Sequence, residues 1–172
     1  MRGLSEYIIQ FEGLKQGTHF FEFNVDNSFF EEFDCLDFIN ATFKVNLEFI
    51  KQSTMLRFNF TFSGTITVPC DRCLDEVDID VKGEDALIIK FGNEEFEETD
   101  EILVIPFNQY QINVAKYIYE FIEVSIPQRK VHKDGLCNPE IIKELEKIEQ
   151  KKEIAVDPRW EKLQDIKLKK NK

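Results

Sequence analysis

The sequence predicts an α+β fold: a curled antiparallel sheet or barrel-like β core, followed by C-terminal helices. Two observations lead to this prediction. Apolar and polar residues alternate with a period of two through most of residues 6–107, which is typical of half-buried strands. Helical periodicity begins only at residue 112. We therefore expect strands first and helices late.

The strands are predicted where every second residue of a segment is apolar. In residues 41–49 every second residue from Ala41 to Phe49 is apolar, and the residues between them are polar. Residues 56–68 continue this pattern as one long strand, in which Gly64 predicts a bend or a bulge. The other predicted strands are residues 6–14, 18–25, 77–81, 86–91 and 102–107.

The helices are predicted from their periodicity and from their boundary residues. Residues 112–126 form the first helix, which Pro127 ends. Residues 139–152 form the second, with Asn138 as N-cap and Pro139 as first helical residue. We expect residues 1–127 to form a β-rich core with a closing helix, and residues 128–172 a charged loop and helical tail.

The charge is distributed unevenly along the chain. The net charge is −11, but residues 1–127 contribute −15 and residues 128–172 contribute +4. Phosphates attract Lys and Arg and repel carboxylates. Any contact with RNA is therefore expected through the basic C-terminal part rather than through the acidic body.

The composition also indicates the compartment. No apolar run approaches the roughly 20 residues that span a bilayer, and the N-terminus is unlike a secretory signal. We expect a cytoplasmic protein without a membrane partner. Four cysteines in such a chain favour free thiols or a metal site over a disulfide framework.

The stretch VPCDRCLDEV, residues 68–77, places Cys70 and Cys73 in a turn between two predicted strands. Two thiolates at this spacing can bind one zinc ion. His132 and Cys137, in the loop after Pro127, would complete a Cys3His structural zinc site. Two other interpretations stay open: unligated structural cysteines, and a redox pair. The redox pair is disfavoured because thioredoxin-type pairs precede a helix, whereas a strand is predicted after Cys73.

Other motifs of catalysis are scarce. The chain has two histidines, His19 and His132, and contains no Gly-rich phosphate loop, HExxH or GxSxG motif. The sequence therefore predicts no catalytic residues, no small-molecule substrate and no cofactor other than zinc.

Several segments, in this order, resemble the YceD family of large ribosomal RNA subunit accumulation proteins. They are VPCDRCLDEV, YIYEFIEVSIPQRKVH, GLCNP and DPRWEKL, and GTHFFEFNVDNSFFEEF adds a weaker similarity to Bacteroidetes-like members. The family pattern falls on Cys70, Arg72, Cys73, Leu74, Glu120, Pro127, His132, Cys137, Asp157, Pro158, Arg159 and Trp160. Some relatives have a cysteine-richer segment after the proline, of which only Cys137 is present here.

The resemblance implies a bacterial or plastid-type factor, not known as an enzyme, that is needed for accumulation of large-subunit ribosomal RNA. The expected partners are ribosomal RNA or the pre-ribosomal large subunit, and a basic ribosomal protein for the acidic body. The residues expected to contact a partner or RNA are Arg72, Arg129, Lys130, Lys133, Arg159 and Trp160. The chief alternative is a zinc-stabilised interaction module unconnected to ribosomes, and the third is a CxxC thiol oxidoreductase.

Overall fold

A computed structural model describes residues 4–35, 37–92 and 102–151. The predicted contacts Arg159 and Trp160, and the end segment that contains them, lie outside these residues. None of the helices in the described ranges is both long and apolar enough to cross a membrane.

In the described ranges, seven strands form two sheets. They are β1 (Ile8–Gln10), β2 (Gly17–Asp26), β3 (Asn40–Lys51), β4 (Met55–Pro69), β5 (Glu76–Phe91), β6 (Ile102–Ile105) and β7 (Gln111–Asn113). The larger sheet has the order β2-β3-β4-β5-β6, and β1 pairs with β7 in a separate ribbon. All pairs are antiparallel except β5 and β6, which run parallel.

The helices are a 3₁₀ turn (Ser5–Tyr7), α1 (Asn27–Glu31), α2 (Ala115–Ser125) and α3 (Pro139–Lys151). The α+β prediction is confirmed, with mostly antiparallel strands and C-terminal helices. The sheet is not a closed barrel, because β2 and β6 are its two open edges and do not pair with each other.

The core lies on one face of the larger sheet. Along β3 and β4 every second residue is buried from Ala41 to Phe49 and from Leu56 to Phe62, as the alternation predicts. Helix α2 covers part of this face, where the ring of Phe121 packs edge-on at 5.3 Å from the ring of Phe60. The alternating apolar residues of the strands thus form the interior of the protein.

Of the bend or bulge that was predicted at Gly64, strand β4 shows no bulge. Gly64 pairs with Phe43 on one side and with Val81 on the other, and the registers skip no residue. The glycine is needed for close packing instead. A Cβ atom here would collide with the carbonyl oxygen of Thr42 and with the ring of Phe43.

The predicted first helix begins three residues too early. Residues 112 and 113 belong to β7, where Ile112 pairs with Ile9 of β1, and the helix begins at Ala115. It ends at Ser125, as the proline at 127 requires, because the residue before a proline is restricted to extended conformations. The N-cap of α3 is confirmed: the Glu140 N–H donates to Asn138 Oδ1 at 3.1 Å.

Candidate metal centre

The turn between β4 and β5 holds the two cysteines of the CxxC motif. The Cys70 N–H donates to the carbonyl of Asp75 at 2.8 Å, and the Leu74 N–H donates to the carbonyl of Cys70 at 2.9 Å. Leu74 closes the turn with a positive φ of 65°. These bonds fold residues 70–75 tightly enough that the side chains of Cys70 and Cys73 both enter the protein interior.

The loop after α2 brings the other two predicted ligands to this turn. The ligand atoms of Cys70, Cys73, His132 and Cys137 all lie within 4.8 Å of one another. The sulfur atoms of Cys70 and Cys137 are 4.0 Å apart, and Cys73 Sγ lies 3.4 Å from His132 Nδ1. The three cysteines are buried and the histidine is half-buried. The four residues that sequence analysis grouped are therefore brought together.

The histidine is oriented by a second hydrogen bond. His132 Nε2 lies 3.0 Å from the carbonyl oxygen of Glu76, which can only accept, so Nε2 carries the proton. In the neutral ring Nδ1 then has a free lone pair, and this atom faces the sulfur of Cys73. Metal-binding histidines are commonly fixed in this way by a carbonyl on the other nitrogen. The geometry therefore prepares Nδ1 as a ligand.

The thiols of Cys70 and Cys137 are shifted in opposite directions in pKa although their sulfur atoms are 4.0 Å apart. Burial alone would raise the pKa of Cys70, but hydrogen bonds from the backbone N–H groups of Arg72, Cys73 and His132 outweigh it. The pKa falls from 9.0 to about 6. Burial, followed by hydrogen bonds with Cys70 and Cys73, raises the pKa of Cys137. The cluster thus favours the Cys70 thiolate at neutral pH and disfavours a thiolate at Cys137, until a cation compensates the charge.

Two hydrogen bonds, one between backbone groups and one to a side-chain carboxylate, join the loop to the turn beside the cluster. The Asp71 N–H donates to the carbonyl of Lys130 at 2.7 Å, and the Lys130 N–H donates to Asp71 Oδ2 at 2.6 Å. We call this pair of bonds the Asp71–Lys130 clamp. The contacts of Asp71 and of the Glu76 carbonyl were not predicted, since neither residue type at these positions signals such a contact.

The predicted RNA-contact residues in the described part of the chain lie in the CxxC turn and in the loop that meets it. The guanidinium of Arg72 reaches Cys137 Sγ at 4.0 Å. Arg129 and Lys133 are exposed and Lys130 is half-buried. The loop residues 129–133, which carry these cations and which we call the basic loop, are thus held against the CxxC turn.

The redox interpretation lacks the local structure that thioredoxin-type pairs use. Cys73 is followed by β5 and not by the N-terminus of a helix. The fourth cysteine, Cys35, lies elsewhere, with its sulfur 3.4 Å from Glu123 Oε1.

Comparison with known proteins identifies one family. The family model described as "Large ribosomal RNA subunit accumulation protein YceD" matches residues 58–167. The match begins in β4 and includes the CxxC turn, the basic loop and both pairs of cluster residues. It confirms the family that the motifs suggested. No curated protein and no solved structure matches the chain significantly.

Proposed function

Because this chain belongs to the YceD family, we propose that it is a non-catalytic factor in biogenesis of the large ribosomal subunit. It would support the accumulation or processing of large-subunit ribosomal RNA. One observation carries the proposal: inside the segment matched by the family model, a four-residue Cys/His cluster fixes the basic loop against the body. The fold thereby presents cations on an otherwise acidic protein.

We propose that the cluster binds a structural zinc ion. Tetrahedral coordination with bonds of about 2.3 Å to sulfur places ligand atoms roughly 3.5–3.8 Å apart. The contacts of 4.0 Å between Cys70 and Cys137 and 3.4 Å between Cys73 and His132 are close to this spacing. When bound, zinc would neutralise the thiolates and link the turn to the loop. Four protein ligands leave no open position for a substrate, unlike a catalytic zinc site.

The basic loop is the proposed RNA contact in the described part of the chain. Arg129 and Lys133 are exposed, and Arg72 lies beside the cluster, so phosphate oxygens can reach cations from both joined segments. Arg159 and Trp160 would add contacts from the basic C-terminal part. The acidic body, with a charge of −15 over residues 1–127, would bind a basic ribosomal protein by charge complementarity.

A pull-down with tagged protein, with and without nuclease, tests the proposal. We expect large-subunit ribosomal RNA to be retained without nuclease, and a basic ribosomal protein to remain after nuclease treatment. A variant with Arg129, Lys130 and Lys133 replaced by Gln should lose the RNA while it keeps the protein. Recovery of no ribosomal component under either condition would refute the proposal.

The alternative is a zinc-stabilised interaction module with no ribosomal role, which the cluster geometry would serve equally well. The same experiment separates the two, because such a module would bind zinc and recover no ribosomal component.

A further inference from the structure

Leu74 occupies an unusual position at the rim of the candidate metal centre. Its side chain is 79% exposed, and its φ of 65° lies in the left-handed region. A glycine adopts this conformation without steric cost, whereas a leucine does not. An exposed leucine here therefore costs folding free energy through its backbone, and its side chain gains little from burial in return.

A second exposed leucine borders the same centre. Leu136 is 67% exposed and directly precedes the cluster residue Cys137, just as Leu74 directly follows Cys73. The sulfur atoms of these two cysteines lie within 4.8 Å of each other. We call Leu74 and Leu136 the leucine rim. Each leucine is tied to its own segment by a backbone hydrogen bond: the Leu74 N–H donates to the carbonyl of Cys70 at 2.9 Å, and the Leu136 N–H donates to the carbonyl of Lys133 at 3.0 Å.

Exposed carboxylates continue from this rim along β5. They form the acidic strip: Asp75, Glu76, Asp78 and Asp80. The hydroxyl groups of Thr67 and Thr65 donate to Asp78 Oδ1 at 2.7 Å and to Asp80 Oδ1 at 3.2 Å. Within the described ranges no lysine or arginine forms an ion pair with any of these four carboxylates. The strip therefore presents uncompensated negative charge beside the leucine rim.

We propose that the leucine rim and the acidic strip together form the docking surface for a basic protein, which packs an apolar side chain on Leu74 and Leu136. This inference rests on the proposed ribosomal function and specifies where its protein partner binds. Interfaces of this kind place apolar contacts beside charges that set orientation. Four carboxylates in a row repel phosphate, so this surface selects a polypeptide over RNA, which is left to the basic loop.

The test compares the wild-type chain with a Leu74→Gly variant. Glycine relieves the backbone cost of this turn, which offsets its larger entropy in the unfolded chain. The variant should therefore fold about as well as the wild type, and a loss of binding then reports the missing side chain. The control is Phe20→Ser, which removes an apolar residue that is 76% exposed on β2, the far edge strand. A further variant, Asp78→Asn with Asp80→Asn, tests the strip.

Fluorescently labelled chain is titrated with the protein fraction extracted from purified large ribosomal subunits, and separately with their deproteinised RNA. Leu74→Gly should weaken binding to the protein fraction about ten- to a hundredfold, the effect of losing one buried leucine. Phe20→Ser should leave it unchanged, and the double Asn variant should weaken it and flatten its salt dependence.

Two results would overturn the docking surface alone. One is that Leu74→Gly binds the protein fraction with wild-type affinity, and the other is that Leu74→Gly loses affinity only for the RNA. If the wild-type chain binds neither fraction, the proposed ribosomal function itself fails, and the docking surface with it.

Discussion

Asp71 and Lys130 are 59 residues apart in sequence and are joined by two hydrogen bonds, one from each backbone N–H. One of them is accepted by the Asp71 carboxylate, which makes it a charge-assisted bond. Together with the Cys/His cluster, this clamp holds the basic loop to the CxxC turn. The position of the loop therefore depends on contacts that can be removed one at a time.

Replacing Asp71 by Ala should loosen the basic loop. The Lys130 N–H would lose its carboxylate acceptor, at a cost of about 1 kcal/mol in the free energy of unfolding. Trypsin should then cut faster after Arg129, Lys130 and Lys133 in the native protein. The matched control is Asp134→Ala, which removes the same charge from an exposed loop position. Equal cleavage rates for the two variants would contradict a role for the clamp.

Zinc content distinguishes a metal centre from unligated cysteines. Protein purified without chelator should contain about one zinc per chain by mass spectrometry, and Cys73→Ser should contain almost none. Its melting temperature should fall by about 10 °C or more, since binding free energy is lost from the folded state. Cys35→Ser is the control, because Cys35 contacts Glu123 rather than the cluster. Full zinc content in Cys73→Ser would exclude the proposed ligand set.

The depressed pKa of Cys70 predicts how pH affects the metal-free, reduced protein. The folded state loses the Cys70 proton near pH 6, whereas the unfolded chain keeps it to about 9. Stability should therefore rise with pH between about 6 and 9, and the contribution is lost as pH falls through 6. Above that window the raised pKa of Cys137 acts in the opposite direction.

Urea midpoints measured across this range check the effect. A Cys70→Ala variant, also metal-free, should lack the upward slope. If the variant and the wild type show the same slope, Cys70 is not the group responsible.

Gly64→Ala should destabilise the sheet by about 3 kcal/mol, the upper part of the usual cost of overpacking. The added methyl group meets the backbone carbonyl of Thr42, which cannot turn away without disturbing the β3–β4 ladder. Gly13→Ala is the control, because nothing lies within 4 Å of a Cβ there. Comparison of their chemical-denaturation midpoints checks this, and similar midpoints would show that β4 shifts to make room.

Much of the fold could be predicted because strand alternation directly reports which face is buried. The segment from Ala41 to Phe49 shows this, because the alternate residues predicted to be buried are the ones that the structure buries. The short β7 could not be predicted, because Ile112 and Val114 fit a helical pattern as well as a strand. Its conformation is decided by pairing with β1, about a hundred residues away in sequence. Helix α1 was missed for a different reason: it has only five residues, which are too few to show a helical period, although Asp26 caps it.

The candidate metal centre was predictable because ligand chemistry restricts the residue types. Once Cys70 and Cys73 were placed in a turn, His132 and Cys137 were the closely spaced pair of suitable type. The supporting contacts were not predictable, because a backbone carbonyl such as that of Glu76 has no signature in the sequence. The exposure of Leu74 was hidden likewise, since an apolar residue beside two buried cysteines suggests burial.

Depletion of the protein from growing cells, followed by sucrose-gradient sedimentation of ribosomal particles, tests the central claim most directly. The account predicts that precursor large subunits accumulate, that large-subunit ribosomal RNA decreases relative to small-subunit RNA, and that the wild-type chain restores both while Cys73→Ser does not. Normal maturation of large subunits in depleted cells would contradict it.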